Sequence, residues 1–283
     1  MDDKDHAVLA YSSNRPNEKN EDRQSDDSFL LNGAPVRVLG VYDGHGGPWT
    51  PEYVSHVLPA VIQQHIENAA AASPSIPGIL ISSFKQVDRN IVEPVEAKFA
   101  PVLPSTPYNL TFARRRNDIA KKKRDTRTQD LEVIPLSMDQ DGNNPAEYAR
   151  VRHEHAKDTN DPFTGGRLFG MMPLTRSFGD SFYKYQSTDI AQYVFGNAKL
   201  NKEGHLSYHE AMSPYYPLLE TPPYLTATPE VISHRRSPED VFMIMASDGV
   251  WAIKGMTNEW VVAKAIEALS NTSVEDPSMS WRR

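Results

Sequence analysis

The chain has 283 residues, enough for one large domain or two small ones, and its 39% hydrophobic and 24% charged content is ordinary for a soluble globular protein. A formal net charge of -7 argues against general affinity for nucleic acid or anionic membrane. The absence of cysteine excludes disulfides, thiolate metal sites and a cysteine nucleophile. No apolar run approaches the ~18 residues of a membrane span, and the acidic start Met1-Asp2-Asp3-Lys4-Asp5 lacks the features of a signal or transit peptide.

In chain order the pattern is mixed α and β. Val36 to Tyr42 is an apolar run ending in Asp43-Gly44-His45-Gly46-Gly47, which reads as a buried strand entering a tight turn. From Glu52 to Ala70, Val54, Val57, Leu58, Val61 and Ile62 recur at helical spacing, with Pro59 expected to kink or break the helix. A second helix is expected around Ile81, Phe84, Val87 and Ile91. Asn144-Pro145-Ala146-Glu147 reads as a helix start, with a cap, a first-turn proline and an acid to complement the dipole. Tyr224 to Ser233 and Val241 to Ala246 read as strands, the second running into Ser247-Asp248-Gly249. Thr257 is placed to cap a last helix with Val262, Ala265, Ile266 and Leu269 on one face. No internal repeat is present, and proline, at 22 residues, points to long loops.

The two Asp-Gly pairs at strand ends carry the candidate chemistry. A buried strand holds Asp43 or Asp248 rigidly, and the following glycine lets the backbone turn while leaving its carbonyl available. Hard oxygen donors of this kind suit Mg²⁺ or Mn²⁺. Two such ions ~3.5–4 Å apart can share a carboxylate and acidify a coordinated water toward pKa ~7. Glu21-Asp22 adds a third acidic pair, suited to holding waters on the metals. A single Asp-Gly is also a plain β-turn, so spacing alone leaves both readings open.

Four segments taken together go further: Asn20-Glu21-Asp22-Arg23, Val41 to Gly47, Thr175-Arg176-Ser177-Phe178-Gly179-Asp180 and Ala246 to Trp251. In order, they resemble the signature motifs of the metal-dependent protein serine/threonine phosphatases (PPM-type). Met172-Pro173-Leu174, Thr221 to Ala227 and Pro229-Glu230 are similar to the pyruvate dehydrogenase phosphatase branch. The similarity covers roughly residues 7–99 and 131–269. It implies an α+β fold, a central β-sandwich flanked by helices (four layers, αββα), with the chain forming a single domain over 1–283. It implies hydrolysis of phosphoserine or phosphothreonine in a protein substrate by a water activated at a two-metal (Mg²⁺ or Mn²⁺) site. In that scheme Asp43 bridges both ions, Gly44 offers its carbonyl to one and Asp248 binds the other. His45 stands near the leaving oxygen as a general acid. Asp180 either supports the site or caps a buried turn. The implied partner is the pyruvate dehydrogenase complex in the mitochondrial matrix. With no targeting segment visible, the cytoplasm is the alternative.

Three departures accompany the match. The family's Ser-Gly-x-Thr-Ala strand and the strand ending in Gly-Asp-Ser-Arg are absent, and an atypical basic loop, 101–130, with Arg114-Arg115-Arg116 and Lys121-Lys122-Lys123-Arg124, stands in their place. That stretch reads as a solvated loop, or as a nuclear-import or phosphate-binding patch. The family's last metal Asp, in an Asp-Asn pair, is expected beyond the last helix and does not occur before Arg283. The phosphate-gripping Arg four residues before Glu21 is Asn17, with Arg15 or Arg23 as possible substitutes. Lost central strands would leave apolar side chains unpartnered at ~1.5–3 kcal/mol apiece, against ~5–15 kcal/mol of net stability for a domain. The readings that stand beside an active enzyme are therefore a weak or inactive phosphatase-like binding protein and a truncated splice or gene-model product. His153 with His155, and His205 with His209, read as surface histidines or, at helical spacing, as metal ligands. Asn109-Leu110-Thr111 and Asn271-Thr272-Ser273 read as chance matches to the glycosylation pattern, and Trp251 as core packing beside the site.

Overall fold

The computed structural model describes residues 21–45, 48–69, 75–98, 118–122, 131–185, 213–235, 237, 240–251 and 255–271. Arg15, Asn17, Gly46, Gly47, Asn109, the Arg114–Arg116 run, His205, His209 and Thr272-Ser273 lie outside them. The described residues mix helix and strand, as expected, and fall into two compact units. Among them no helix is long and apolar enough to cross a membrane.

The first unit comprises Glu21–Arg115 and Ser137–Ser233. It opens with a hairpin of β1 (Arg23–Leu31) and β2 (Ala34–Tyr42), paired antiparallel from Arg23↔Tyr42 to Leu31↔Ala34. Asn32 (φ 51°) and Gly33 (φ 80°) make the two-residue turn. Both φ values are positive, which the primed hairpin turns require and which Asn-Gly tolerates at little cost. Helix α1 (Trp49–Ala69) packs on both strands and on α2 (Ile76–Lys98). Val54, Leu58, Val61, Ile62 and Ile66 of α1 and Ile79, Val87, Ile91 and Val92 of α2 form the core between them, with Tyr42 and Phe178. The expected break at Pro59 does not occur. The proline is buried within an uninterrupted helix, because burial of Leu58, Val61 and Ile62 around it outweighs the one backbone bond it forgoes.

Helix α3 (Pro145–Glu154) begins as its sequence requires. Asn144 Oδ1 accepts from the Ala146 N–H at 3.0 Å, and Asp141 Oδ1 accepts from the N–H groups of Asn143 (2.9 Å) and Asn144 (3.1 Å). Asn144→Ala is therefore expected to cost about 1 kcal/mol, read as a lower midpoint in urea. A small ribbon of β5 (Phe163–Thr164) and β6 (Arg167–Leu168) follows. A second core cluster gathers Val151, Phe163, Leu168, Phe169, Met172, Phe182, Tyr183, Leu219, Tyr224 and Leu225. The strand expected over Tyr224–Ser233 is instead extended chain, with one bridge from Thr226 to Arg176. Pro222, Pro223 and Pro229 have no N–H to offer a ladder, and Tyr224 and Leu225 are buried, with the Tyr224 N–H donating to the Tyr183 carbonyl at 2.8 Å.

The second unit holds Arg116–Leu136 and His234–Arg283, with Met1–Asn20. Its sheet has the order β4-β3-β7, with β3 (Asp118–Lys122) central and antiparallel to both β4 (Leu131–Pro135) and β7 (Asp240–Ile244). This corrects the reading of 101–130 as loop throughout, since Lys121 and Lys122 sit in a paired strand. Local composition there favoured a loop, whereas the backbone N–H and C=O groups find partners on two sides, which a charge run does not forbid. A one-turn helix α4 (Asp248–Trp251) follows β7, and α5 (Asn258–Asn271) packs on β4. Thr257 Oγ1 accepts from the Trp260 N–H at 3.2 Å, the cap its sequence implies, and Val262 is buried.

Candidate active site

The site begins where β2 ends. Tyr42 closes the strand with its ring buried and its hydroxyl 2.9 Å from Ser25 Oγ, and burial pushes that hydroxyl's pKa up to about 12. The next residue, Asp43, is therefore delivered from a fixed point. Gly44 is required by crowding: a Cβ there would lie 2.6 Å from the Glu21 carbonyl oxygen and 2.6 Å from Pro51 Cγ of α1. The Gly44 N–H donates to Asp22 Oδ1 at 3.3 Å. Glu21 and Asp22 are thus drawn against the Asp43-Gly44 turn.

His45 faces a second element. Its Nε2 lies 3.4 Å from Asp180 Oδ1, and the Asp180 side chain is only 1% exposed. The other carboxylate oxygen of Asp180 accepts from Ser177 Oγ at 2.6 Å. Asp180 sits in the left-handed region (φ 47°), directly after Gly179 (φ 68°). For a residue with a Cβ this costs about 1 kcal/mol and persists only when neighbours enforce it. Asp88 on α2 contacts this turn. Its Oδ1 accepts from the Gly179 N–H at 2.7 Å, and its two oxygens lie 2.7 and 2.8 Å from Lys184 Nζ. Lys184 also donates to the Ser177 carbonyl at 2.9 Å. Burial pushes the Asp88 carboxyl above its ordinary range and pulls the Lys184 ammonium below its own, each change opposed by the partner. Asp180 does not cap the turn that follows it, one of its two expected roles: its side chain makes no cap bond to the 3-10 turn Ser181–Tyr183. It turns to Ser177 and His45 instead.

Beside this loop Glu147 is 3% exposed and holds Thr175 and Arg176, the first two residues of the Thr-Arg-Ser-Phe-Gly-Asp stretch. Arg150 Nη2 donates to it at 2.8 Å. Burial by itself raises the Glu147 carboxyl, but the bonds from Arg176, Arg150 and Thr175 together outweigh it and hold the carboxyl at about 2.

Arg23, one candidate substitute for the missing phosphate-gripping arginine, is paired with Glu52, and its Nη1 donates to the Asp22 carbonyl at 2.9 Å. His153 is exposed, but His155 is not the surface residue expected. It is buried, stacks on Tyr224 with ring centroids 4.0 Å apart, and bonds Thr221 Oγ1 through Nδ1 at 2.8 Å. An aromatic partner 69 residues away is invisible to local spacing. Trp251 is half-buried.

The first unit thus brings Glu21, Asp22, Asp43, Gly44, His45 and Asp180 to one region, while Asp248 opens α4 in the second unit. Among the described residues no three acidic or histidine side chains form a cluster that could hold a metal ion. The donors that are present, carboxylates and a carbonyl packed around a glycine, have the hard-oxygen chemistry that Mg²⁺ or Mn²⁺ takes, and in that respect they fit.

Against known families, the model for Protein phosphatase 2C matches residues 123–278, more than half of the chain. The chain belongs to the protein phosphatase 2C family. A protein phosphatase 2C homolog of Schizosaccharomyces pombe is 28% identical over 86% of this chain and 60% of its own length. The mitochondrial pyruvate dehydrogenase (acetyl-transferring) phosphatase 1 of Saccharomyces cerevisiae is 27% identical over 81% of this chain and 43% of its own. The mitochondrial phosphatase 2 of the same name from Homo sapiens is 33% identical over 53% of this chain and 27% of its own. The chain therefore spans less than two thirds of the length of these relatives. The resemblance drawn from the four motifs holds, as does its leaning toward the pyruvate dehydrogenase phosphatases.

Within this protein phosphatase 2C chain, the sequence reading missed Asp88 and Lys184, and credited Glu147 only with complementing a helix dipole. One signal for Asp88 was available. It falls four residues after Phe84 and three before Ile91, on the apolar face of α2, where a carboxylate needs a partner.

Proposed function

We propose that this chain hydrolyses phosphoserine or phosphothreonine in a protein substrate at a two-metal site. What supports the reading is the convergence of Glu21, Asp22, Asp43 and His45 around Gly44, with His45 set against buried Asp180. In this reading the chain belongs to one phosphatase domain of the family's sandwich fold. By resemblance to the family, Asp43, the Gly44 carbonyl and Asp248 are the groups that would hold the metal ions. Glu21 and Asp22 would hold waters on the metals, and Asp180 would lend a carboxylate nearby. Bound Mg²⁺ or Mn²⁺ supplies Lewis acidity, polarising the phosphoryl oxygens and making a coordinated water nucleophilic near neutral pH.

The remaining work falls to the chain. As water adds to phosphorus, the P–O bond to the serine or threonine oxygen breaks, and that oxygen must gain a proton. His45 would give it, with the Asp180 carboxylate 3.4 Å behind Nε2 fixing the direction of the ring. Similarity to mitochondrial pyruvate dehydrogenase phosphatases makes that complex the substrate proposed, and the mitochondrial matrix the compartment.

The test is hydrolysis of a phosphothreonine peptide by the purified chain with and without Mn²⁺. Turnover should require Mn²⁺, and Asp43→Asn should lower it by about a thousandfold or more, since both metal electrostatics and water activation depend on that carboxylate. Folded protein with no Mn²⁺-dependent turnover would sink the proposal.

A further inference from the structure

The buried Asp88–Lys184 pair lies outside the catalytic scheme, yet every bond it makes ends on the loop that carries Asp180. Asp88 accepts from the Gly179 N–H, and Lys184 reaches both Asp88 oxygens and the Ser177 carbonyl. Phe178, between those residues, packs on Phe84 one turn before Asp88, with ring centroids 5.1 Å apart. Phe84 and Asp88 on α2 thus hold Phe178 and Gly179, and Lys184, bonded to Asp88, holds the Ser177 carbonyl. The conformation so fastened is an unfavourable one, two consecutive left-handed residues of which Asp180 has a Cβ. From it the Asp180 carboxylate reaches Ser177 with one oxygen and His45 with the other.

We propose that Asp88 and Lys184 are positioning residues: their ion pair holds Gly179 and Asp180 in the left-handed turn that sets the Asp180 carboxylate behind His45. The part of this that concerns turnover rests on the phosphatase reading above, and the part that concerns geometry does not. A generic buried ion pair would be replaceable by apolar residues without functional consequence. This pair would not be, because its donors and acceptor also fix the backbone of the loop. Lysine matters here as a three-proton donor that serves two carboxylate oxygens and a carbonyl at once.

The test compares Lys184→Met, Lys184→Arg and the double variant Asp88→Asn/Lys184→Met, which leaves no unpaired buried charge and so guards against loss of folding. Two readouts need no activity: amide hydrogen exchange at Gly179 and Asp180, and the His45 ring signals in a proton–carbon NMR spectrum. In the folded double variant, exchange at these amides should quicken at least tenfold while the α1 and α2 core amides stay protected, and the His45 signals should move. Phosphopeptide kcat should fall by about 10–100-fold with KM changed less than threefold, a partial loss of general-acid catalysis. Lys184→Arg should recover most of both. Unchanged protection at Gly179 and Asp180 in the folded double variant overturns the proposal, as does a kcat equal to that of the wild type. If the wild type shows no turnover, the phosphatase reading fails, and the positioning role is judged on exchange and the His45 signals alone.

Discussion

Glu147→Ala is expected to lower the unfolding free energy of the first unit by about 3–5 kcal/mol, the usual cost of removing one partner from a buried ion pair. The carboxylate is 3% exposed and accepts from Thr175 Oγ1 at 2.6 Å, from Arg150 at 2.8 Å and from Arg176. Its loss leaves Thr175 and two guanidinium groups without their common acceptor, although Arg176 keeps the Thr228 carbonyl at 3.0 Å.

The same carboxylate gives stability a direction in pH. Its pKa is about 2 when folded, against an ordinary 4.5. It therefore contributes stability that is fully present above pH 4.5 and is lost as pH falls toward 2, on the order of 3 kcal/mol in all. His155 acts in the same direction: burial lowers its pKa below the ordinary 6.5, against the pull of Asp158, so its contribution starts to fade as pH drops through 6.5. Urea denaturation as a function of pH should show a steep acid limb that Glu147→Gln flattens between pH 4.5 and 2. An unchanged limb in that variant would show that the carboxylate does not carry the loss.

The second large effect is expected at Gly44. In Gly44→Ala the new methyl group would sit 2.6 Å from a backbone oxygen and 2.6 Å from a proline ring carbon. Neither is the loose end of a flexible side chain, so the turn itself must move. Asp43 and His45 flank this residue and Asp22 bonds its N–H. A displacement of about 1 Å there is expected to reduce kcat/KM about 100-fold, measured on the phosphothreonine peptide. Gly33→Ala is the control. Nothing lies within 4 Å of a Cβ at that hairpin turn, so the change should cost about 1 kcal/mol through its positive φ and leave turnover alone. Equal losses of turnover in the two variants would show that crowding at Gly44 is not what sets the site.

The elements the sequence announced most clearly were those whose signals are local. Asn144, Pro145 and Glu147 start α3 as written, Thr257 caps α5, and the apolar runs ending at Tyr42 and near Ile244 are strands. The β1 strand was missed although Asn32-Gly33, a strong hairpin signal, lay between its residues and β2. Its own residues alternate poorly and are largely polar. β3 was hidden for a different reason: its run Asp-Ile-Ala-Lys-Lys reads as solvated chain, and only pairing on both edges makes it a strand. Among the candidate site residues, Asp43, Gly44 and His45 stood out because three residues in a row carry the pattern. That His45 meets Asp180, 135 residues on, and that Asp88 fastens the loop between them, depends on tertiary placement that no window of sequence contains.

The proposal on which the rest depends is that Asp43, at the end of β2, holds Mg²⁺ or Mn²⁺. Titration of Mn²⁺ into the purified chain, followed by calorimetry, tests it with Asp43→Asn, and Gly33→Ala serves as the control. Asp43→Asn should weaken Mn²⁺ binding at least tenfold while Gly33→Ala leaves it unchanged. Mn²⁺ binding indifferent to Asp43→Asn in folded protein would contradict the account.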